Sequence, residues 1–263
     1  MLRQHFDLRW YAWSLAAAAH AYAFLGQFDE SVEEARKTLS VAEEHHDNSL
    51  ISFAEFCLSV AYTFKGDATT AIEHAQMSVD KAPTPADKVW GQTFLGWAWC
   101  RAGRAQEGAD LLASILPLYE GTQLVLGQVW MAAFLGEAYW RAGRIEEAER
   151  TLQKGLELAI PCRIKMYIGW IHRLLGEVAL AKNPEQVTEP LAAPHFKTSI
   201  AVLRDIKAEN ELALAYAGFA RLHKVQGRLA EARDYFIRAL EIFERLGTLI
   251  EPNKVRSELA EFL

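Results

Sequence analysis

Apolar and small residues recur three or four positions apart through most of the chain, which is the spacing of one buried face on an α-helix. The clearest stretch runs from Trp130 to Leu158, where two such segments are joined by the tetrapeptide Arg-Ala-Gly-Arg. Gly143 lies where the first segment must end, and glycine readily adopts the left-handed conformation that terminates many helices. The pattern therefore predicts two helices joined by a tight turn.

The same turn recurs at intervals of about 40 residues. The residue seven positions before each turn residue is always small. In the units whose turn residue is glycine, the residue five positions after it is also small. Two paired helices that cross closely require small residues at those positions. Asparagine replaces glycine in one unit, and it also tolerates the left-handed conformation. The turn residues are Gly26, Gly66, Gly103, Gly143, Asn183 and Gly227.

In the clearest unit, Leu135, Gly136, Tyr139, Gly143, Ile145 and Ala148 resemble the signature of the tetratricopeptide repeat, a helix-turn-helix unit of about 34 residues. The resemblance covers essentially the whole chain. It implies an all-α fold, an α-solenoid wound as a right-handed superhelix of about six helix pairs with a C-terminal capping helix. We expect one solenoid domain over residues 1–263, with repeats at 8–47, 48–85, 86–122, 125–161, 164–208 (with a loop insertion at 182–194) and 210–247, and a capping helix at 252–262.

The first repeat begins without a helix cap, because a helical pattern is already present from Leu2 to Trp13. Solenoids usually need a polar terminal helix that shields the last apolar face. We therefore expect a further segment before residue 1 in the full protein. The alternative is a homodimer, in which the first helices of two copies cover each other's apolar surface.

The composition mainly excludes classes of partner and of location. The net charge of −6 argues against a nucleic-acid surface, and no apolar stretch is long enough for a membrane span. The N-terminus lacks the apolar core and cleavage site of a secretory signal. Cys57, Cys100 and Cys162 are odd in number and far apart, so we interpret them as reduced, buried residues of a cytoplasmic protein.

One position of the first helices, thirteen residues before each turn residue, is occupied by Trp13, Phe53, Trp90, Trp130, Trp170 and Leu214. Two interpretations stay open. The rings form a ladder in a concave groove that binds a peptide or helix, or they pack between neighbouring helices as core. Charges of both signs lie at neighbouring positions. The candidate partner-binding residues are Trp13, Phe53, Trp90, Trp97, Trp130, Glu137, Trp170, Arg173 and Glu177.

The sequence shows no catalytic constellation, phosphate-binding loop or metal-binding motif. His45 and His46 are adjacent, and neighbouring side chains on a helix diverge by about 100°, so a solvated helix end explains them better than a metal site. We interpret His172 and His223 as core or boundary residues. We therefore expect no enzymatic activity, no cofactor and no bound metal.

The run RALEIFERLGTLIEPNKV in the last third resembles the C-terminal repeat region of bacterial signalling proteins, in which a nucleotide cyclase-like domain and an ATPase domain precede a tetratricopeptide array. No cyclase or ATPase motif is present here, so the resemblance implies a regulatory or scaffolding segment.

The function that we expect is a non-catalytic interaction module. Its concave groove would bind a protein or peptide partner, or a domain of its own full-length protein, and we expect neither a nucleic acid nor a membrane as partner. The alternative is a ligand-sensing regulatory domain of a transcription activator or a cyclase-type protein.

Overall fold

A computed structural model describes residues 2–182 and 189–262, and every regular element in those ranges is an α-helix. The helices of the described ranges are α1 (Leu2–Leu25), α2 (Phe28–Glu44), α3 (Asn48–Lys65), α4 (Ala68–Lys81), α5 (Pro85–Arg101), α6 (Ala105–Glu120), α7 (Val125–Arg141), α8 (Ile145–Ala159), α9 (Lys165–Lys182), α10 (Glu189–Asp205), α11 (Glu209–Val225), α12 (Leu229–Leu246) and α13 (Glu251–Ala260). Consecutive helices pair in chain order and α13 follows the last pair. The prediction of an all-α fold of helix pairs with a terminal helix is confirmed.

The turn glycines end the first helix of their pairs. Gly26, Gly66, Gly103, Gly143 and Gly227 all have a positive φ, between 73° and 88°. The residue after each glycine donates its amide hydrogen to the carbonyl oxygen of the residue four positions before the glycine, as in Arg104 to Trp99 at 2.9 Å. This bond satisfies a carbonyl group that the helix end would leave unpaired. Asn183 lies outside the described residues.

Side chains cap the start of several helices in the first half of the chain. The Asp47 carboxylate accepts the amide hydrogens of Ser49 and Leu50, both at 3.1 Å, at the start of α3. Thr84 accepts the amide hydrogen of Asp87 at 3.2 Å, and its own hydroxyl donates to the Asp87 carboxylate at 2.7 Å. Such caps satisfy the amide groups that the first helical turn leaves without a partner.

The small residues lie where the two helices of a pair cross. A Cβ atom added to Gly108 on α6 would lie 2.4 Å from the backbone oxygen of Gly96 on α5, so neither helix could accommodate a side chain there. In the first pair, the Ser31 hydroxyl uses the same closeness to donate to the backbone oxygen of Ala19 at 2.7 Å. The repeated small positions therefore set the distance between paired helices.

The fifth pair differs from the predicted loop insertion at 182–194. α9 continues through Lys182, and α10 begins at Glu189, so the last six residues of the predicted loop are helical. Residues 183–188 lie outside the described ranges. The prediction relied on proline as a helix breaker, but Pro190 is at the second helical position, where a missing amide hydrogen costs no intrahelical bond. Pro194 also lies within α10, near its start.

The chain divides into two compact units, Met1–Ile115 and Leu116–Leu263. In the first unit, Ala12, Ala42 and Leu50 form a small core cluster. In the second unit, a larger cluster joins α10, α11, α12 and α13, and Phe196, Phe236 and Phe243 are fully buried in it. Val255, Leu259 and Phe262 pack against this cluster, so α13 and the residues after it cover the apolar face of the sixth pair.

Candidate functional site

In the first unit, the predicted column of rings forms a partly exposed surface. Trp13 on α1 is 37% exposed, and Phe53 on α3 and Trp90 on α5 are half-buried. Ring centroids are 4.0 Å apart between Trp13 and Phe53, and 6.3 Å apart between Phe53 and Trp90. We call these three residues the aromatic strip. It runs across three successive first helices that contact one another.

Buried rings lie directly behind the aromatic strip. Phe56 is 2% exposed, and its ring lies 4.4 Å from that of Phe53. Phe56 also stacks on Phe94, at 4.4 Å and an interplanar angle of 8°. Because closely packed aromatic rings have few alternative rotamers, this layer holds the strip in one arrangement.

The exposed aromatic surface of α1 extends beyond the strip. Trp10 is 60% exposed and Tyr11 is 53% exposed. Trp10 precedes Trp13 by three residues, so the two rings lie on the same side of α1. An exposed group of large aromatic side chains is unusual for the surface of a soluble protein and is typical of an interaction site.

In the second unit, the same column is largely core. Trp170 on α9 is fully buried, stacked on Tyr167 at 5.7 Å and in edge contact with Phe134 of α7 at 5.5 Å. Leu214 is 8% exposed, whereas Trp130 remains half-buried with its ring 6.5 Å from Tyr167. Trp170 therefore packs between neighbouring first helices, as the core interpretation states, and it presents no surface to a partner.

The other candidate groove residues are also buried. Trp97 is 1% exposed, and the charged side chains of Glu137, Arg173 and Glu177 are 0%, 2% and 6% exposed. A partner in the groove would meet little of these four side chains in the structure as it stands, and their role in binding stays a prediction. The three charged side chains can be buried because they are neutralised within the chain.

Four ion pairs, made by three arginines, achieve this neutralisation. Arg173 donates to Glu211 of α11 at 2.8 Å, and Arg141 donates to Glu137 at 3.0 Å. Arg221 lies between two carboxylates, with Glu177 at 3.0 Å and Glu258 of α13 at 2.9 Å. Burial lowers the pKa of Arg221, but the carboxylates outweigh burial and raise the pKa above its ordinary value. Glu211 and Glu258 were not among the residues predicted from the sequence, and the charges of both signs at neighbouring inner positions were the available signal.

His20 lies among phenylalanines in the first unit. Its ring centroid is 4.7 Å from that of Phe24, 6.1 Å from that of Phe94 and 6.5 Å from that of Phe56. Burial in these surroundings lowers the pKa of His20 to about 4. The imidazole is therefore neutral at pH 7.

This histidine makes stability depend on pH. Because the pKa of His20 is about 4 in the fold and 6.5 ordinarily, the unfolded chain binds more protons between these values, and the free energy of unfolding falls as the pH drops through this window. Between pH 7 and pH 4 this effect should lower the free energy of unfolding of the wild type by roughly 2–3 kcal/mol, and His20→Leu should abolish that decrease. Urea unfolding at pH 7, 5.5 and 4 measures the difference.

The exposed histidine His46 supplies the matched control. It has a positive φ of 52°, which asparagine tolerates, so His46→Asn should keep the pH dependence of the wild-type chain. Parallel loss of stability in the wild type and in His20→Leu would show that His20 does not carry the effect.

Other residues singled out from the sequence have structural roles. His223 is 6% exposed and stacks on Tyr235 at 5.4 Å and 6°.

Cys57 and Cys100 are buried, but Cys162 is exposed, so the prediction of three buried cysteines was wrong for Cys162. Cys162 lies in the turn between α8 and α9, where a side chain projects from the surface rather than from a packed helix face.

Two clefts in the described part of the chain bear on the ligand-sensing alternative. One has a volume of about 560 Å³ and one of about 270 Å³, and both open widely to the surface. Neither has the form of the closed apolar pocket that the ligand-sensing alternative requires. No helix among the described residues is long and apolar enough to span a bilayer. The larger cleft is lined by Asp29, Val32, Glu33, Arg36, Lys37, Ser40, Tyr62 and Lys65, and the smaller one by Arg233, Ile237, Arg256, Leu259, Ala260 and Phe262.

Comparison with known proteins agrees with the repeat architecture. Family models described as tetratricopeptide repeat match residues 12–37, 123–154 and 212–246. No curated protein matches the sequence. These matches do not show the resemblance of the last third to cyclase–ATPase proteins.

Solved structures resemble the chain over most of its length. A Rap protein complexed with competence and sporulation factor is 11% identical, with 95% of this chain and 74% of that chain covered and a TM-score of 0.65. The Rap conjugation gene regulator of the plasmid pLS20, in complex with the Phr* peptide, is 16% identical, with 95% and 78% covered and a TM-score of 0.65. BtubC from P. vanneervenii is 16% identical, with 87% and 93% covered and a TM-score of 0.56.

Identities this low carry information about the fold alone. Together with the helix pairs, the turn glycines and the buried small positions, they establish the architecture. The chain is an all-α protein with the fold of an α-solenoid, and its helix pairs are similar to tetratricopeptide repeats, whose family models match three of its segments.

Proposed function

We propose that the chain is a protein-interaction module, and that the aromatic strip of its first unit binds a segment of a partner polypeptide. The observation that carries the proposal is the partial exposure of Trp13, Phe53 and Trp90 on three successive first helices. In the second unit, the corresponding Trp170 is fully buried. The strip therefore offers a partner three adjacent, partly exposed rings, whereas in the second unit only Trp130 of this column is half-buried.

The chemistry of the strip suits a peptide with apolar or aromatic side chains. Tryptophan and phenylalanine contribute large contact areas at a small entropic cost, and such residues dominate the binding energy of many interfaces. The rings of the strip contact one another, and Phe56 supports them from behind. Binding therefore requires little ordering of the receptor, which favours affinity.

The structural neighbours support a peptide as the class of partner. The Rap protein was crystallised with competence and sporulation factor, and the pLS20 regulator with the Phr* peptide. For this chain we propose a bacterial regulatory context, as part of a larger signalling protein. The partner segment would come from a separate polypeptide or from a neighbouring domain of the same protein.

The test is selection of peptides from a random phage-displayed library on the folded wild-type chain, followed by titration of the synthetic peptides. We expect Trp13→Ala and Trp90→Ala each to weaken binding by at least about tenfold, because central aromatic residues of an interface typically contribute more than 1 kcal/mol. Binding is followed by the intrinsic tryptophan fluorescence, and circular dichroism establishes that each variant is folded.

Trp99→Ala is the matched control. Trp99 lies on α5, as Trp90 does, and is also half-buried, but its ring is covered by the Arg104 guanidinium at 4.5 Å. This variant should bind selected peptides with the affinity of the wild type. Unchanged affinity in both strip variants would exclude the strip as the site, and failure to select any peptide on the wild type would exclude peptide binding.

A further inference from the structure

Two histidines face each other between the helices of the fifth pair. His172 lies on α9 and His195 lies on α10, and both side chains are half-buried. Their Nδ1 atoms are 2.9 Å apart. The ring centroids are 5.2 Å apart, and the rings are tilted by 39°. The two nitrogens therefore meet edge to edge, whereas a stacked pair would meet face to face.

In the metal-free chain, this contact is a hydrogen bond in which one neutral imidazole donates its Nδ1–H to the lone pair of the other. The same arrangement fits a metal ion. Two nitrogens at about 2.0–2.1 Å from a tetrahedral ion lie about 3.3 Å apart. Because each ring centre lies about 1.1 Å behind its nitrogen, the ring centres are then about 5.2 Å apart. That distance equals the observed centroid separation, so the ring centres can stay in place while each ring turns by about 35° to aim its nitrogen at a common ion.

We infer that His172 and His195 form a two-histidine site for a divalent transition-metal ion of the copper and zinc class. Imidazole nitrogen is a favoured ligand of these ions. The ion would take the place of the shared proton and connect α9 to α10. This site is independent of the aromatic strip, which lies in the other compact unit.

The surroundings keep the ligands ready to bind. Burial lowers the pKa of His172 to about 4, and the neighbouring His195 adds to the effect. Burial also lowers the pKa of His195, and Glu149 of α8 opposes this in part. Both shifts favour the neutral form of the imidazole, which is the form that coordinates a metal ion.

The coordination sphere would be completed by water. The described residues contain no group of three or more histidine, cysteine or carboxylate side chains placed to hold an ion. Glu149, which pairs with Lys182 at 2.5 Å, supplies negative charge near His195. Two protein ligands and open positions are typical of an exchangeable ion rather than a permanent structural one.

The test is titration of the chain, purified without a histidine tag, with Cu²⁺ alone at pH 7. Electron paramagnetic resonance should show one copper ion with two nitrogen ligands. His172→Ala and His195→Ala should each weaken binding by at least about tenfold, because loss of even a secondary metal partner commonly costs 10–100-fold. His46→Asn, which removes an exposed histidine elsewhere, should bind copper as the wild type does.

Thermal unfolding with Zn²⁺ alone provides a second readout. Zinc should raise the midpoint of the wild type and leave those of both histidine variants unchanged, because an ion that binds only the folded state stabilises it. Equal copper affinity in the wild type and in either variant would overturn the inference. If the variants do not fold, a wild-type copper spectrum without two nitrogen ligands, or no zinc effect on the wild type, would also overturn it.

Discussion

Replacing Glu211 by alanine is expected to destabilise the chain by about 3–5 kcal/mol. The carboxylate is fully buried, and it is the ion-pair partner of Arg173, which is 2% exposed. Without Glu211, the guanidinium charge would remain in the interior with no compensating charge at that contact. Urea unfolding at pH 7 measures the loss of free energy.

We attribute this loss of stability to the unpaired buried charge of Arg173, and a second variant distinguishes this cause from the loss of the attraction between the two side chains. A buried ion pair stabilises a protein little relative to apolar residues of similar size, because desolvation of both charges offsets their attraction. The Nη2 atom of Arg173 has no hydrogen-bond acceptor among the described residues, which adds to that cost. The double variant Arg173→Met with Glu211→Leu should therefore recover most of the stability that Glu211→Ala loses.

An exposed ion pair in the same unit is the control. Lys165 and Asp205 are 2.7 Å apart, with side chains that are 59% and 63% exposed. Asp205→Ala should change the free energy of unfolding by less than about 1 kcal/mol, since solvent screens such pairs. If the double variant is as unstable as Glu211→Ala, uncompensated burial of charge is not the cause.

Trp170→Ala is expected to cost about 3–5 kcal/mol, because it removes a fully buried indole and leaves a cavity between α7 and α9. The midpoint of thermal unfolding should fall by roughly 10 °C. Trp13→Ala changes the same repeat position but removes a ring that is 37% exposed. This variant should lose about 1 kcal/mol or less in stability and bind the selected peptides at least about tenfold more weakly.

The two tryptophan variants thus test the division of the column into core and surface. Differential scanning calorimetry gives the stability change, and peptide titration gives the affinity. A Trp170→Ala chain with an unchanged midpoint and lost binding would reverse the assignment. Trp170→Phe, which retains a ring able to contact Phe134, should have an intermediate midpoint.

The repeat architecture was predictable because its determinants are local and recur. In five of the pairs, a glycine with positive φ ends the first helix. Small residues, such as Gly96 and Gly108, lie where the two helices of a pair cross. These constraints are expressed in residue types at fixed spacing, so a pattern along one chain suffices to detect them. The start of α10 was misjudged because proline is compatible with the first turn of a helix as well as with a loop.

The tertiary structure was needed to decide which residues of one column are exposed and which are core. Trp13 and Trp170 have the same position in their repeats, yet one is partly exposed and the other fully buried. Burial depends on side chains from neighbouring helices, and repeat spacing contains no information about them.

The same reason applies to the residue pairs that carry the predictions. Arg173 meets Glu211 across 38 positions, and His172 meets His195 across 23. The periodic pattern placed each residue on a helix, whereas only the packing of those helices determined which charges and which imidazoles lie in contact.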